Sequence, residues 1–175
     1  MKERLLAAAS EILSTEGPAA LTTRRVCEAV GVTMPTLYHH FPNRDALVQA
    51  VYDHALGQFM AKKRSLELSD DPLDDLRRGC ELVLDFVAKN KNVAIAVVAR
   101  GLEDPSILGP SYQLLRERVQ RAKQAGLLHV PEAMATAMTW SAVQGLLVQT
   151  IAPVDPAVNL GQLRKRLLDG LITSL

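Results

Sequence analysis

The chain has 175 residues, of which 48% are hydrophobic and 22% charged, and its formal net charge is +1. These are ordinary globular values: they exclude a disordered polyelectrolyte and a bulk polycation, so any nucleic-acid binding must come from a few placed cations. Aromatic residues make up only 4% of the chain, which favours packed helices over sheet. Cys27 and Cys80 have no metal or redox spacing and read as small core residues, kept reduced in a cytoplasmic setting. Lys2-Glu3-Arg4 leads into an amphipathic helix, not into the apolar run of a secretory signal.

No period-two alternation persists, while helical spacing recurs throughout, so the expected fold class is all-α with about nine helices. A first helix over 2–15 stops at Gly17-Pro18. A second, capped by Thr22 or Thr23, carries Val26, Ala29 and Val30 up to Gly31. Thr33 is placed to cap a short third helix, with Pro35 in its first turn. Asn43 caps a long fourth helix with Leu47, Val51 and His54 spaced inward, and its Lys62-Lys63-Arg64 run reads as a solvated end. Asp71 caps the next helix and Pro72 opens it, with Asp74 and Asp75 suited to its positive end. Further helices are expected over 72–89, 91–102, 106–125, 131–151 and 157–173. The uncharged stretch Ala133 to Val154 has the length of a membrane span, but its Thr, Ser and Gln residues mark a helix buried on two sides, and no membrane association is expected.

The informative segment is LTTRRVCEAVGVTMPTLYHHFPNRDAL, residues 21–47. It is a short helix, a tight turn at Gly31 and a second short helix, with Val26, Val30, Val32, Leu37 and Phe41 spaced to pack the two across each other. That is the helix-turn-helix layout, whose second helix enters the major groove. Thr22 and Thr23 at a helix N-terminus form a natural phosphate site, and Arg24, Arg25 and Arg44 stand beside it. Thr33, Met34, Pro35, Thr36, Tyr38, His39 and His40 complete the candidate DNA-binding set. His39 and His40 are adjacent on a helix and diverge by about 100°, so they do not form a metal site. With no HExxH, GxSxG or Cys/His grouping, neither an enzyme nor a metal or other cofactor is expected.

In Gly31-Val32, Thr36-Leu37-Tyr38-His39-His40-Phe41 and Pro42-Asn43-Arg44, the segment resembles the DNA-binding domain of the TetR family of transcriptional regulators. The resemblance covers about the first 50 residues. It implies that Arg24, Met34, Pro35 and Thr36 touch bases, and that Thr23, Tyr38 and Arg44 hold phosphates. One departure is Met34, where the member that gives the family its name carries Gln; a thioether cannot make a bidentate adenine contact, so a different operator is implied.

The resemblance also implies a DNA-binding domain over 1–48 and a ligand-binding and dimerisation domain over 49–175. The homodimer would form through the helices at 131–151 and 157–173, with Ala135, Thr139, Ala142 and Gly145 allowing close approach and Met138, Leu146, Leu163 and Leu167 filling the contact. The partners implied are a palindromic double-stranded operator and a small, hydrophobic effector. Candidate effector contacts are Phe59, Phe86, Arg100, Tyr112, Met134, Trp140 and Gln144. The expected function is that of a repressor, released when the effector shifts the fourth helix. The alternatives on the same scaffold are a ligand-independent architectural DNA-binding protein and an activator.

Overall fold

In the computed structural model, which describes residues 1–175, helix ends fall where local chemistry stops the backbone. Helix α1 (Lys2–Glu16) ends at Gly17, whose φ of 86° suits a residue without a side chain. The Thr22 hydroxyl accepts from the Arg25 N–H at 3.2 Å and starts α2 (Thr23–Val30), which closes on Gly31 in the left-handed region at φ 72°. Helix α3 (Met34–His40) follows at once. The Asn43 side chain accepts from the Ala46 N–H at 2.8 Å to start α4 (Arg44–Arg64), about 31 Å long at 1.5 Å per residue.

Asp71 caps α5 (Pro72–Lys89), accepting from the Leu73 N–H at 2.9 Å, and Asn90 separates it from α6 (Lys91–Glu103). The single helix expected over 106–125 is instead a 3-10 turn, Pro105–Leu108, followed by α7 (Gly109–Gln124); Pro110 has no N–H to carry one helix through and opens a new one. Helix α8 (Glu132–Ile151) precedes α9 (Leu160–Ser174), which begins later than expected because Asn159 caps it through the Gln162 N–H at 2.9 Å. The fold is therefore all-α with nine helices, as the spacing predicts. No helix is long and apolar enough to cross a membrane.

Two large cores divide most of the packing, beside a small third cluster of Val87, Ala94 and Leu147. One gathers Leu5, Ala9, Leu13, Val26, Leu37, Phe41, Leu47 and Val51 from α1–α4, and takes in Val93 of α6. The other gathers Leu76, Cys80, Leu84, Leu115, Val119, Val143 and Leu168 from α5, α7, α8 and α9. Both cysteines are buried and unpaired.

Three sequence readings change here. Asp75 does not simply face the start of α5: it is fully buried, accepts from the Ser69 N–H and the Arg121 guanidinium, and has Arg118 at 3.7 Å. Lys63 does not belong to a solvated helix end: it is 5% exposed, roofed by α7. Ala135, Thr139 and Leu146 do not face outward, because α8 packs on α5 and α7 through that side and all three are buried within the subunit. The outer stripe of α8 is Met134, Ala137, Ser141, Gly145 and Val148.

Candidate nucleic-acid interface and internal cavity

The side chains of α3 divide cleanly. Leu37 lies in the core with Phe41 beyond the helix end, while Pro35, Tyr38 and His39 are exposed and Thr36 and His40 half-buried. Thr33 holds the N-cap position but caps no backbone N–H; its hydroxyl pairs with that of Thr36 at 3.0 Å, orienting both on the outer face. Met34 turns inward, its thioether 3.6 Å from the Cys27 thiol, so the core holds part of this side chain. The rings of His39 and His40 meet edge-on at 5.1 Å.

Around α3 stand the cations. Arg24 is 87% exposed and pairs with Glu28 at 2.9 Å along α2, while Arg25 pairs with Glu16 at 2.9 Å. Both pairs are exposed and therefore weak and exchangeable. Arg44 donates to the Leu21 carbonyl at 3.4 Å, which brings its guanidinium beside the Thr22–Thr23 helix start. Sequence reasoning missed Lys2, whose ammonium lies 5.7 Å from the centre of the Phe41 ring, at the far end of α3. Thr22, Thr23, Arg24 and Arg44 stand near the start of α2 and α4, and α3 leaves Thr36, Tyr38 and His39 on its outer face. Such groups can hold phosphates through N–H groups and cations and offer hydroxyls to base edges.

A cavity of about 90 Å³ lies between α4, α5, α6, α7 and α8. Phe59 and Phe86 form one wall, their ring centres 4.4 Å apart, and Trp140 and Gln144 another. Arg100, Tyr112 and Met134 lie outside this wall. Arg100 turns to α4, pairing with Asp53 at 2.9 Å and donating from its Nε to the Gln49 amide oxygen at 3.0 Å. Tyr112 packs edge-on against Trp140 at 5.2 Å from the outer side, and Met134 is on the exposed stripe of α8.

The polar end of the cavity is made by Lys63, Cys80, Ser111 and Arg118, none of which was among the expected effector contacts. Lys63 donates to the Ser111 carbonyl at 3.2 Å and to its hydroxyl at 2.7 Å. Burial pulls the Lys63 ammonium down to about 8, the nearby Arg118 cation adding to the effect, and burial pushes the Cys80 thiol up to about 11. A signal was present: Lys63 falls one turn beyond Phe59 and Met60, and Arg118 one turn beyond Leu115, on the apolar faces of their helices.

Helix α6 touches both regions. At its start Val93 enters the N-terminal core and Asn92 donates to the Leu13 carbonyl of α1 at 3.3 Å. Along its length Ala94, Val97 and Val98 line the cavity.

Residues 5–51 match the family model of bacterial regulatory proteins of the tetR family. The HTH-type transcriptional regulator UidR of Escherichia coli (strain K12) is 22% identical over 167 residues, 88% of this chain and 81% of UidR. The nucleoid occlusion factor SlmA of Vibrio campbellii is 31% identical over 91 residues, 51% of this chain and 46% of SlmA. The crystal structure of the transcriptional regulator FadR from Bacillus subtilis in complex with stearoyl-CoA matches the fold with a TM-score of 0.73 at 16% identity, covering 100% of both chains.

Proposed function

We propose that the chain, whose residues 5–51 match the tetR family model, is a TetR-family regulator: a homodimeric repressor released from a palindromic operator when a small ligand enters its internal cavity. Residues 1–48 serve as the DNA-binding domain and 49–175 as the sensing and dimerisation domain. Arg24, Pro35 and Thr36 face bases, with Thr23, Tyr38 and Arg44 on phosphates; Met34, expected at a base, turns inward and leaves Arg24 and Thr36 as the polar readers. The observation that carries the switch is α6, which is anchored in the N-terminal core by Val93 and lines the cavity with Ala94, Val97 and Val98. A ligand that widens the cavity displaces α6 and α4 and, through them, α3. It acts only if it binds the displaced state better than the DNA-competent one.

The likeness of the fold to FadR in its stearoyl-CoA complex supports an internal ligand of some kind. The likeness of about half the chain to SlmA, a nucleoid occlusion factor, keeps a second reading in play: an architectural DNA-binding protein with no ligand and broad sequence tolerance. Selection of duplex DNA from a random library at two salt concentrations separates the two from each other and from neither. Enrichment of a palindrome, with affinity falling steeply as salt rises, supports the regulator. Salt-dependent binding with no enriched sequence supports the second reading, and no binding by folded protein defeats both.

A further inference from the structure

We infer that the cavity selects a ligand with an anionic head, a carboxylate, on a short apolar body, and that Lys63 is the residue that selects it. The inference rests on the cavity being the effector site. The Lys63 ammonium is 5% exposed and reaches only uncharged partners, the Ser111 carbonyl and hydroxyl. An ammonium has three donors, so one is left without a protein acceptor. No Asp or Glu stands among the 23 wall residues, 17 of which are hydrophobic. The neighbouring Arg118 is already compensated, donating to the Asp75 carbonyl at 3.2 Å with the Asp75 carboxylate at 3.7 Å. Lys63 is therefore the uncompensated charge of the cavity, and a buried charge without a counter-ion is costly.

A neutral ligand would dehydrate Lys63 further and return nothing, whereas a carboxylate supplies the missing acceptor and the missing charge. Gly79 keeps room at this end, since a Cβ there would lie 3.3 Å from the Arg118 side chain. The volume of about 90 Å³ limits the body to a short chain or small ring unless the walls move apart. The titratable groups facing Lys63 are Cys80 from α5 and Arg118 from α7; α6, the 3-10 turn and α8 add none to the wall.

Trp140 is the sole tryptophan and lines the cavity, so its fluorescence reports occupancy in the intact protein. Hexanoate and 1-hexanol, matched in length, are titrated at pH 7 and pH 9. Hexanoate is expected to bind at least about tenfold tighter than hexanol at pH 7 and to weaken about tenfold by pH 9 as Lys63 loses its proton, with hexanol no weaker at pH 9 than at pH 7. Lys63→Met, of similar length, abolishes the preference; the pH series on the unaltered protein gives the same test without a substitution. Equal binding of the two probes, or a carboxylate preference that survives both high pH and Lys63→Met, overturns the inference and leaves the cavity as the effector site. Failure of both probes to alter Trp140 fluorescence at millimolar concentration removes the effector-cavity reading and this inference together.

Discussion

Lys63 is charged where the fold offers it a serine and no carboxylate, so its pH behaviour exposes it. Its ammonium titrates near 8 when folded against an ordinary 10.5, so the unfolded chain holds the proton more tightly. The destabilisation is fully present below about pH 8 and is relieved as pH rises toward 10.5, because stability rises with pH wherever the unfolded state binds more protons. Cys80 acts in the opposite sense: its thiol is displaced from 9.0 to about 11, so its contribution falls as pH rises above 9. Between pH 8 and 9 the Lys63 effect stands alone. Urea unfolding across that interval should show stability increasing with pH in the unaltered protein and flat in Lys63→Met. At pH 7 the variant should be more stable, by about 3 kcal/mol at most.

At the scale of elements, the join between α5 and α7 depends on Asp75. Its carboxylate is fully buried, faces Arg121, Arg118 and Arg78, and also ties the Ser69 N–H of the preceding turn. Removing one partner of such a cluster leaves the others as uncompensated cations. Asp75→Ala should therefore cost about 3–5 kcal/mol in chemical denaturation. Arg121→Ala, whose side chain is a third exposed, should cost less than half as much. Equal losses would show that the cluster is not centred on the carboxylate.

The same elements show what could be read in advance. Thr22, Asn43 and Asp71 cap α2, α4 and α5 from local sequence, because a cap needs only a side-chain oxygen and an N–H two or three residues away. Thr33 has the same residue type in the same position, yet bonds to Thr36 instead, a choice local sequence does not decide. The partners of Asp75 and Lys63 were unreadable for a related reason, although the apolar face on which Lys63 falls hinted at its burial. Their burial is set by α7, which lies more than 40 residues away in the chain. Small residues on α8 had a similar ambiguity: Ala135 and Thr139 allow close approach to any neighbour, and the neighbour proves to be this subunit's own α5 and α7. The internal wall was half legible, since Phe59, Phe86, Trp140 and Gln144 are large groups on apolar faces. Arg100 was not, because a cation at the end of an apolar helix fits a cavity or an ion pair equally well, and Asp53 is what holds it.

For the whole molecule, the question is what covers the outer stripe of α8. Met134 and Val148 are each more than half exposed there, with Ala137, Ser141 and Gly145 between them and no charge among the five. Leu167 of α9 is 43% exposed. An uncharged stripe with small central residues suits close packing against its own copy across a two-fold axis, and a stable interface of that kind buries about 800 Å² on each partner. Val148→Asp places an unpaired carboxylate in that contact but leaves the subunit core untouched, since Val148 points away from it. Sedimentation at micromolar concentration should then give a folded 19.1 kDa species in place of a dimer. Operator affinity should fall by about a hundredfold or more, because a lone helix-turn-helix engages one half-site and forfeits the second. If the variant remains a dimer with full operator affinity, α8 does not form the seam. If it becomes monomeric yet binds the palindrome unchanged, dimerisation is not what the operator reads.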